Sequence, residues 1–450
     1  MKKIKNKTDM TVGSPTKALL LFALPIFLGQ LFQQLYNVTD IKVIGIRLGD
    51  SAIAAMNSVG SIYGILIGIA NGLNNGCAII AARMFGAKDF KMLRRTIAHM
   101  LVINLTATAF FAVMGLLLID PLMHIMEVPD TVYADAKVYL TFILCGMAST
   151  SAYNMCAALL RSVGDSRTPL YFLIGSSIVN VGLDLVFVLW LDLGIGGAAA
   201  ATIIAQVLSA LLCLIYIKRY RPELRIGRGD FVFDKALLGE LLAMGFSMGL
   251  ITSLVSFGSA AVTRANNALS AAGWGDDVIT ANGSARRIDG LFMMPLSTLG
   301  TALATFVSQN KGAGHIDRIR RAIRSAIGLG ALWSVLGVAV IYAFGGELVR
   351  MITDTDNAII IKYAVTYMRI NCPFFFMLIV LLIFRSVLQG MGKKLVPIGT
   401  AVTELVLKFF AAAVLVPSYG FIGICVAEPI IWTVTALAVS VVYIKNIKSL

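Results

Sequence analysis

Apolar stretches long enough to cross ~30 Å of hydrocarbon as helices recur along this whole sequence, and the segments between them are too short to fold as soluble domains. Twelve are read, at roughly 18–46, 51–80, 94–119, 131–160, 168–190, 195–217, 236–270, 277–307, 320–344, 355–390, 395–417 and 421–445. Only helices and closed barrels satisfy every backbone polar group in lipid, and runs of this length are helical, so an all-α integral membrane protein is expected. Composition agrees: 58% of the 450 residues are hydrophobic, 14% are charged, and the mean hydropathy is +0.84. The basic start MKKIKNK leads into an apolar segment too long for a signal peptide, with no small-residue cleavage site, and is read as leading into a retained helix.

A formal charge of +14 would suit a nucleic-acid partner, so the placement of the charges decides. With the N-terminus inside, the cytoplasmic segments hold Lys2, Lys3, Lys5, Lys7, Lys88, Lys91, Arg94, Arg95, Arg167, Lys218, Arg219, Arg221, Arg225, Arg228, Lys311, Arg318, Arg320, Arg321, Lys393, Lys394, Lys445 and Lys448. The opposite loops hold acids, among them Asp120, Glu127, Asp130, Asp192, Asp276, Glu347, Asp354 and Asp356. This is the positive-inside pattern. It predicts a multi-pass protein of the cell (inner) membrane with both termini cytoplasmic, surrounded by lipid, with no role for nucleic acid. The six cysteines lie singly in apolar segments and read as small buried hydrophobes.

The chain repeats itself. Gly86-Ala87 followed by Arg94-Arg95 recurs as Gly312-Ala313 followed by Arg320-Arg321, and at that same displacement Gly194 and Gly197 recur as Gly420 and Gly423. LLRSVGDSRTP at 159–169 answers VLQGMGKKLVP at 387–397, displaced by almost the same amount. The expected architecture is two pseudo-symmetric six-helix lobes, 1–225 and 226–450, entering the membrane from the same side. Transporters built from such parallel repeats bind at the lobe interface and alternate access by rocking.

Asp40 lies inside the first apolar segment. A carboxylate at that depth costs at least ~2.5 kcal/mol and normally faces a protein interior or a water-filled cavity. Pro25, in the same segment, removes a backbone hydrogen bond and is a candidate hinge. In the fifth helix Asn180 and Asp184 are four residues apart and share a face. The sixth adds Thr202, within GGAAAATIIAQ, where small residues leave a carbonyl such as that of Ala198 accessible. Asp40, Asp184 and Thr202 all fall about 10 Å into their helices, at ~1.5 Å per residue. This is a hard-oxygen set suited to a proton or to Na⁺. The competing reading is that these residues only cross-link helices, but the second lobe has Asn266 opposite Asp40 and no acids opposite Asn180 and Asp184, whereas packing should recur.

Other intramembrane charges are less specific. Glu404 and Lys408, four apart, are expected to pair with each other, and Arg286, Arg287 and Asp289 to pair or to line a cavity. Arg264, Arg369 and Glu428 have no local partner. Gln34, Asn37, Arg264, Asn266 and Met293 are candidate substrate-cavity residues. No phosphate-binding loop, nucleophile elbow or metal motif occurs, and His99, His124 and His315 lie near surfaces, so neither an enzyme nor a cofactor beyond a coupling ion is expected.

LYNVTDIKVIGIRLG, ARMFGAKD, LLRSVGDSRTP, NVGLD, LGIGGAAAATIIAQ, SQNKGAG and VLQGMGKKLVP together resemble the multidrug and toxic compound extrusion (MATE) family over essentially the full chain. The resemblance implies a twelve-helix antiporter exporting organic cations or amphipathic drugs against inward H⁺ or Na⁺; separately, a monomer is expected. It further implies that Asp40, Asn180, Asp184 and Thr202 form the first-lobe cation site of the bacterial members, holding Na⁺ if that is the coupling ion, and that Pro25 is the first-helix proline whose bending accompanies protonation. Members with a second-lobe site carry acids in the seventh and tenth helices. Here those helices offer only Glu240 and Asp356, near their ends, so first-lobe coupling is expected. A flippase or exporter of a lipid-linked or anionic substrate is the alternative, motivated by Arg264 and Arg369.

Overall fold

The computed structural model describes residues 9–269, 274–353 and 355–447. The flanking charges Lys2, Lys3, Lys5, Lys7, Asp354 and Lys448 lie outside them. Among the described residues, eleven helices are long and apolar enough to span a membrane, and one bent pair makes a twelfth. The first two spans form α1 (Pro15–Gly86), which breaks at Gly49, where φ is 77° and glycine escapes the Cβ clash. The chain stays helical through Pro25, whose fixed φ suits a helix even as its missing N–H removes one bond. Then follow α2 (Phe90–Leu117), the short α3 (Ile119–Ile125), and α4 (Asp130–Cys145) with α5 (Met147–Ser162), a pair bent by 46°. The first half closes with α6 (Arg167–Asp184), a π-helical turn over Leu185–Trp190, and α7 (Gly194–Tyr220).

The second half runs α8 (Lys235–Leu269), α9 (Asp276–Gly312), α10 (Ile316–Thr353), α11 (Ala358–Asn371), α12 (Phe375–Gly390), α13 (Leu395–Phe410), α14 (Val416–Tyr419) and α15 (Phe421–Ile447). The duplication is written in the backbone. Left-handed φ values fall at Gly49 and Gly275, at Lys88 and Gly314, and at Gly194 and Gly420, each pair at the displacement that relates Gly86 to Gly312. They fall also at Gly164 and Gly392, at the displacement that relates LLRSVGDSRTP to VLQGMGKKLVP. The π-helical turn at Leu185 has its counterpart at Ala411–Leu415, and α4 and α11 end at equivalent positions, Cys145 and Asn371.

Packing divides the chain into two compact units. The first contains residues 24–249; the second contains residues 10–23 and 250–450. The divisions fall within α1 and α8, at Leu24 and Leu250, themselves equivalent positions of the two copies, whereas the division at 225/226 follows the duplication. Glycines explain why the start of α8 joins the first unit. A Cβ on Gly72 would strike the Gly249 backbone and one on Gly76 the Gly245 backbone, so these helices cross with no side chain between them. Arg83 of α1 adds an ion pair to Glu240 of α8 at 2.9 Å. In the second unit, Arg318 donates to the carbonyls of Met10 (3.1 Å) and Gly13 (2.7 Å), and Asn310 donates to Met10 (3.1 Å), tying down the chain before α1.

Candidate ion-coupling site

In the first unit an apolar cluster contains Ile44, Val188 and Ala198, all essentially buried. These residues lie one turn from Asp40, Asp184 and Thr202 respectively, so close packing of three helices fixes the three polar side chains next to it. Asp40 is 7% exposed, Asp184 0% and Asn180 1%. The carboxyl groups of Asp40 and Asp184 face each other within hydrogen-bonding reach, and each keeps one buried oxygen with no partner among the described residues. With its amide oriented to satisfy both neighbours, Asn180 donates to Asp184 Oδ2 and accepts from the Thr202 backbone N–H, both at 3.2 Å. Tyr36 Oη and Thr202 Oγ1 are 3.3 Å apart.

A cavity of about 420 Å³ reaches Asp40 and Thr202, while Asp184 and Asn180 do not line it. Gln33, Tyr36, Asn37, Tyr63, Tyr139 and Gln206 also line it. Asn37 was expected there; Gln34 is exposed and does not line it. Ala198 belongs to the apolar cluster rather than to the cavity wall. Sequence reasoning missed Tyr36 and Gln206, yet Tyr36 lies four residues before Asp40 and Gln206 four after Thr202, on the same helix faces. Among the described residues no three His, Cys, Asp or Glu side chains converge. Any Na⁺ here would therefore draw on the two carboxylates together with the Asn180 amide and Thr202 hydroxyl oxygens, hard donors that suit it.

The other intramembrane and flanking charges correct several expectations. Glu404 pairs with Arg385 at 2.7 Å, and Lys408 pairs with Glu428 at 3.7 Å and donates to Ser259 Oγ at 2.8 Å. The expected Glu404–Lys408 pair is absent because partners on other helices are better placed. Asp289 forms no pair with Arg286 or Arg287; both its oxygens lack a partner among the described residues. Arg369 donates to the Tyr342 carbonyl at 3.2 Å and lies over that ring at 5.4 Å. Glu240 pairs with Arg83 and Asp356 with Arg350. Met293 lines a second cavity, whereas Arg264 is exposed and Asn266 is buried outside both cavity walls.

The MatE family profile matches residues 25–186 and 267–414, more than half of the sequence and both repeats. The chain belongs to the MatE family. It is therefore a multi-pass transporter of the multidrug efflux family and not an enzyme. Similar MatE relatives include the probable multidrug resistance protein YoeA of Bacillus subtilis, 26% identical over 77% of this chain and 75% of that protein. The probable multidrug resistance protein NorM of Thermotoga maritima is 25% identical over 85% and 81%. Among solved structures, an outward-facing multidrug resistance MATE family transporter of the MOP superfamily superposes with a TM-score of 0.90 over 100% of this chain and 99% of its own, at 22% identity. That likeness establishes the MatE fold.

Proposed function

We propose that this MatE protein is a secondary antiporter exporting cationic or amphipathic organic compounds in exchange for H⁺ or Na⁺, coupled through Asp40, Asn180, Asp184 and Thr202. The observation that carries the reading is that two buried carboxyl groups face each other within hydrogen-bonding reach, one of them lining a cavity and each keeping one oxygen with no described partner. Two ionised carboxylates about 4 Å apart repel by about 4 kcal/mol at an effective dielectric of 20. A bound proton or Na⁺ removes that repulsion.

Because Asp40 lines the cavity and Asp184 does not, an organic cation in the cavity meets Asp40 first and competes with the coupling ion for the same charge. Each ligand then weakens the other, the differential affinity that exchange requires. Pro25 gives α1 a site of reduced backbone bonding at which ion occupancy can be turned into bending. In this reading the protein works as a monomer with both termini cytoplasmic. The anionic-substrate alternative drew on Arg264 and Arg369; Arg369 is engaged by Tyr342 and Arg264 lines neither cavity, so the cationic reading is preferred.

The test is ethidium efflux from vesicles reconstituted with the full chain, under an imposed pH or Na⁺ gradient. Asp40→Asn and Asp184→Asn should each abolish gradient-driven export while leaving the thermal unfolding of the protein cooperative. Wild-type export by both variants would sink the site, and the gradient that drives the wild type identifies the ion.

A further inference from the structure

We propose that the cavity of the second unit binds a small zwitterion with an apolar body, its cationic nitrogen held by Asp289 and its anionic group by Arg286. The cavity, about 320 Å³, is lined only by residues of that unit and is separate from the Asp40 site.

The duplication gave both units this hollow. Its lining positions Ser259, Asp289, Met293, Ser297, Glu428 and Trp432 are the repeat equivalents, in order, of Gln33, Tyr63, Ile67, Asn71, Thr202 and Gln206, all of which line the first cavity. The chemistry has diverged completely. In place of neutral polar groups around Asp40, the second hollow carries three acids and three bases: Asp289, Glu404 and Glu428 with Arg286, Arg385 and Lys408.

Four of the six are spoken for, in the Arg385–Glu404 and Lys408–Glu428 pairs. Two remain. Asp289 is 3% exposed with neither oxygen bonded to a described residue. Arg286, three residues before it on α9, makes no ion pair within 4 Å and no side-chain hydrogen bond among the described residues. A network whose purpose was to brace helices would have closed buried Asp289 onto half-buried Arg286, since an unmet buried carboxylate is costly. A simple cation would satisfy Asp289 and leave Arg286 without an acceptor; a simple anion would do the reverse. A ligand carrying both charges meets both groups and leaves the balance of the six unchanged. Met293, Leu378, Leu382 and Trp432 supply apolar and aromatic walls for its body, and the volume suits a molecule of amino-acid size.

The experiment uses the full chain in lipid nanodiscs and three labelled probes of one shape: L-phenylalanine (zwitterion), L-phenylalanine amide (cation) and N-acetyl-L-phenylalanine (anion), measured by equilibrium dialysis. The zwitterion should bind at least about tenfold more tightly than either analogue, the gain expected of one further charge-assisted hydrogen bond. Asp289→Asn should weaken the zwitterion and the amide about tenfold and spare the N-acetyl compound; Arg286→Gln should weaken the zwitterion and the N-acetyl compound and spare the amide. All three probes are also measured in the Asp40→Asn background, which removes the first cavity's charge; the Asp289 and Arg286 effects should persist there unchanged. If Asp289→Asn fails to fold, the Arg286→Gln pattern alone decides. No preference for the zwitterion, equal loss of all probes in either folded variant, or binding of a metal cation alone would overturn the proposal.

Discussion

Gly76→Ala tests the crossing that fastens the start of α8 to the first unit. Two effects of opposite sign compete. Alanine is the better helix former by ~0.8–1.0 kcal/mol. Its Cβ, however, would lie 2.5 Å from Gly245 Cα, 2.6 Å from Met244 O and 2.7 Å from Gly245 N. Nonbonded carbon atoms settle at about 3.5–4.0 Å, so the helices must part by about 1 Å. All three opposing atoms belong to backbone, and no side-chain rotation can relieve them. The overpacking cost of about 1–3 kcal/mol therefore applies near its upper end, giving a net loss of about 2 kcal/mol. Gly64→Ala is the control: its Cβ would meet no atom within 4 Å, so only the propensity gain remains. Thermal unfolding of the purified protein in one detergent should rank Gly64→Ala at or above wild type and Gly76→Ala clearly below. A Gly76→Ala protein that unfolds at or above the wild-type temperature would refute backbone contact at this crossing.

Arg385→Met should destabilise by about 3–5 kcal/mol, because it leaves buried Glu404 without its countercharge, and adding Glu404→Met should restore most of the loss. A double variant as unstable as the sum of the two singles, measured by thermal unfolding, would show that the two groups do not act as a pair. Asp120, in α3 between spans, is held below the usual carboxylate range by the Lys137 ammonium and the Tyr133 hydroxyl. A lowered folded pKa stabilises above the unfolded value of about 3.9, and that contribution is lost as pH falls through the folded one. The unfolding temperature should thus drop more steeply below about pH 4 in wild type than in Asp120→Asn, and less so in high salt, since the pair is exposed. Parallel curves would remove the interaction.

The spans were legible because length and hydropathy alone decide what can cross a membrane, and the duplication was legible because turns constrain residue type. Gly49 and Gly275 stand at breaks where φ is left-handed, so each copy kept a glycine. The meeting of Asp40 with Asp184 could be anticipated from depth, since a shared level restricts which side chains on different helices can touch. Pairing was not legible where two partners competed. The spacing of Glu404 and Lys408 permits contact along one helix, but Arg385 and Glu428 approach from α12 and α15, directions that a one-dimensional pattern does not contain. Arg369 was opaque for a similar reason: its partners are a backbone carbonyl and a ring face, neither of which carries a charge to search for.

Comparison of the two hollows separates what a duplication preserves from what it releases. Backbone devices survive in register: the left-handed turns, the π-helical turns that begin at Leu185 and Ala411, and the ends of α4 and α11. Each is tied to the path of the chain, and changing one copy would displace a whole span. Cavity side chains carry no such constraint, because a hollow tolerates substitution wherever its volume is kept. Tyr63 could become Asp289 and Thr202 could become Glu428, provided that bases arrived to balance them, and Arg286, Arg385 and Lys408 are those bases. The first hollow is lined by one acid, Asp40, and no base, with Asp184 facing it from outside the lining, whereas the second is lined by three of each. From a single ancestral shape, the two copies have thus reached opposite charge balances, an acid-only pair of helices in one and matched acids and bases in the other.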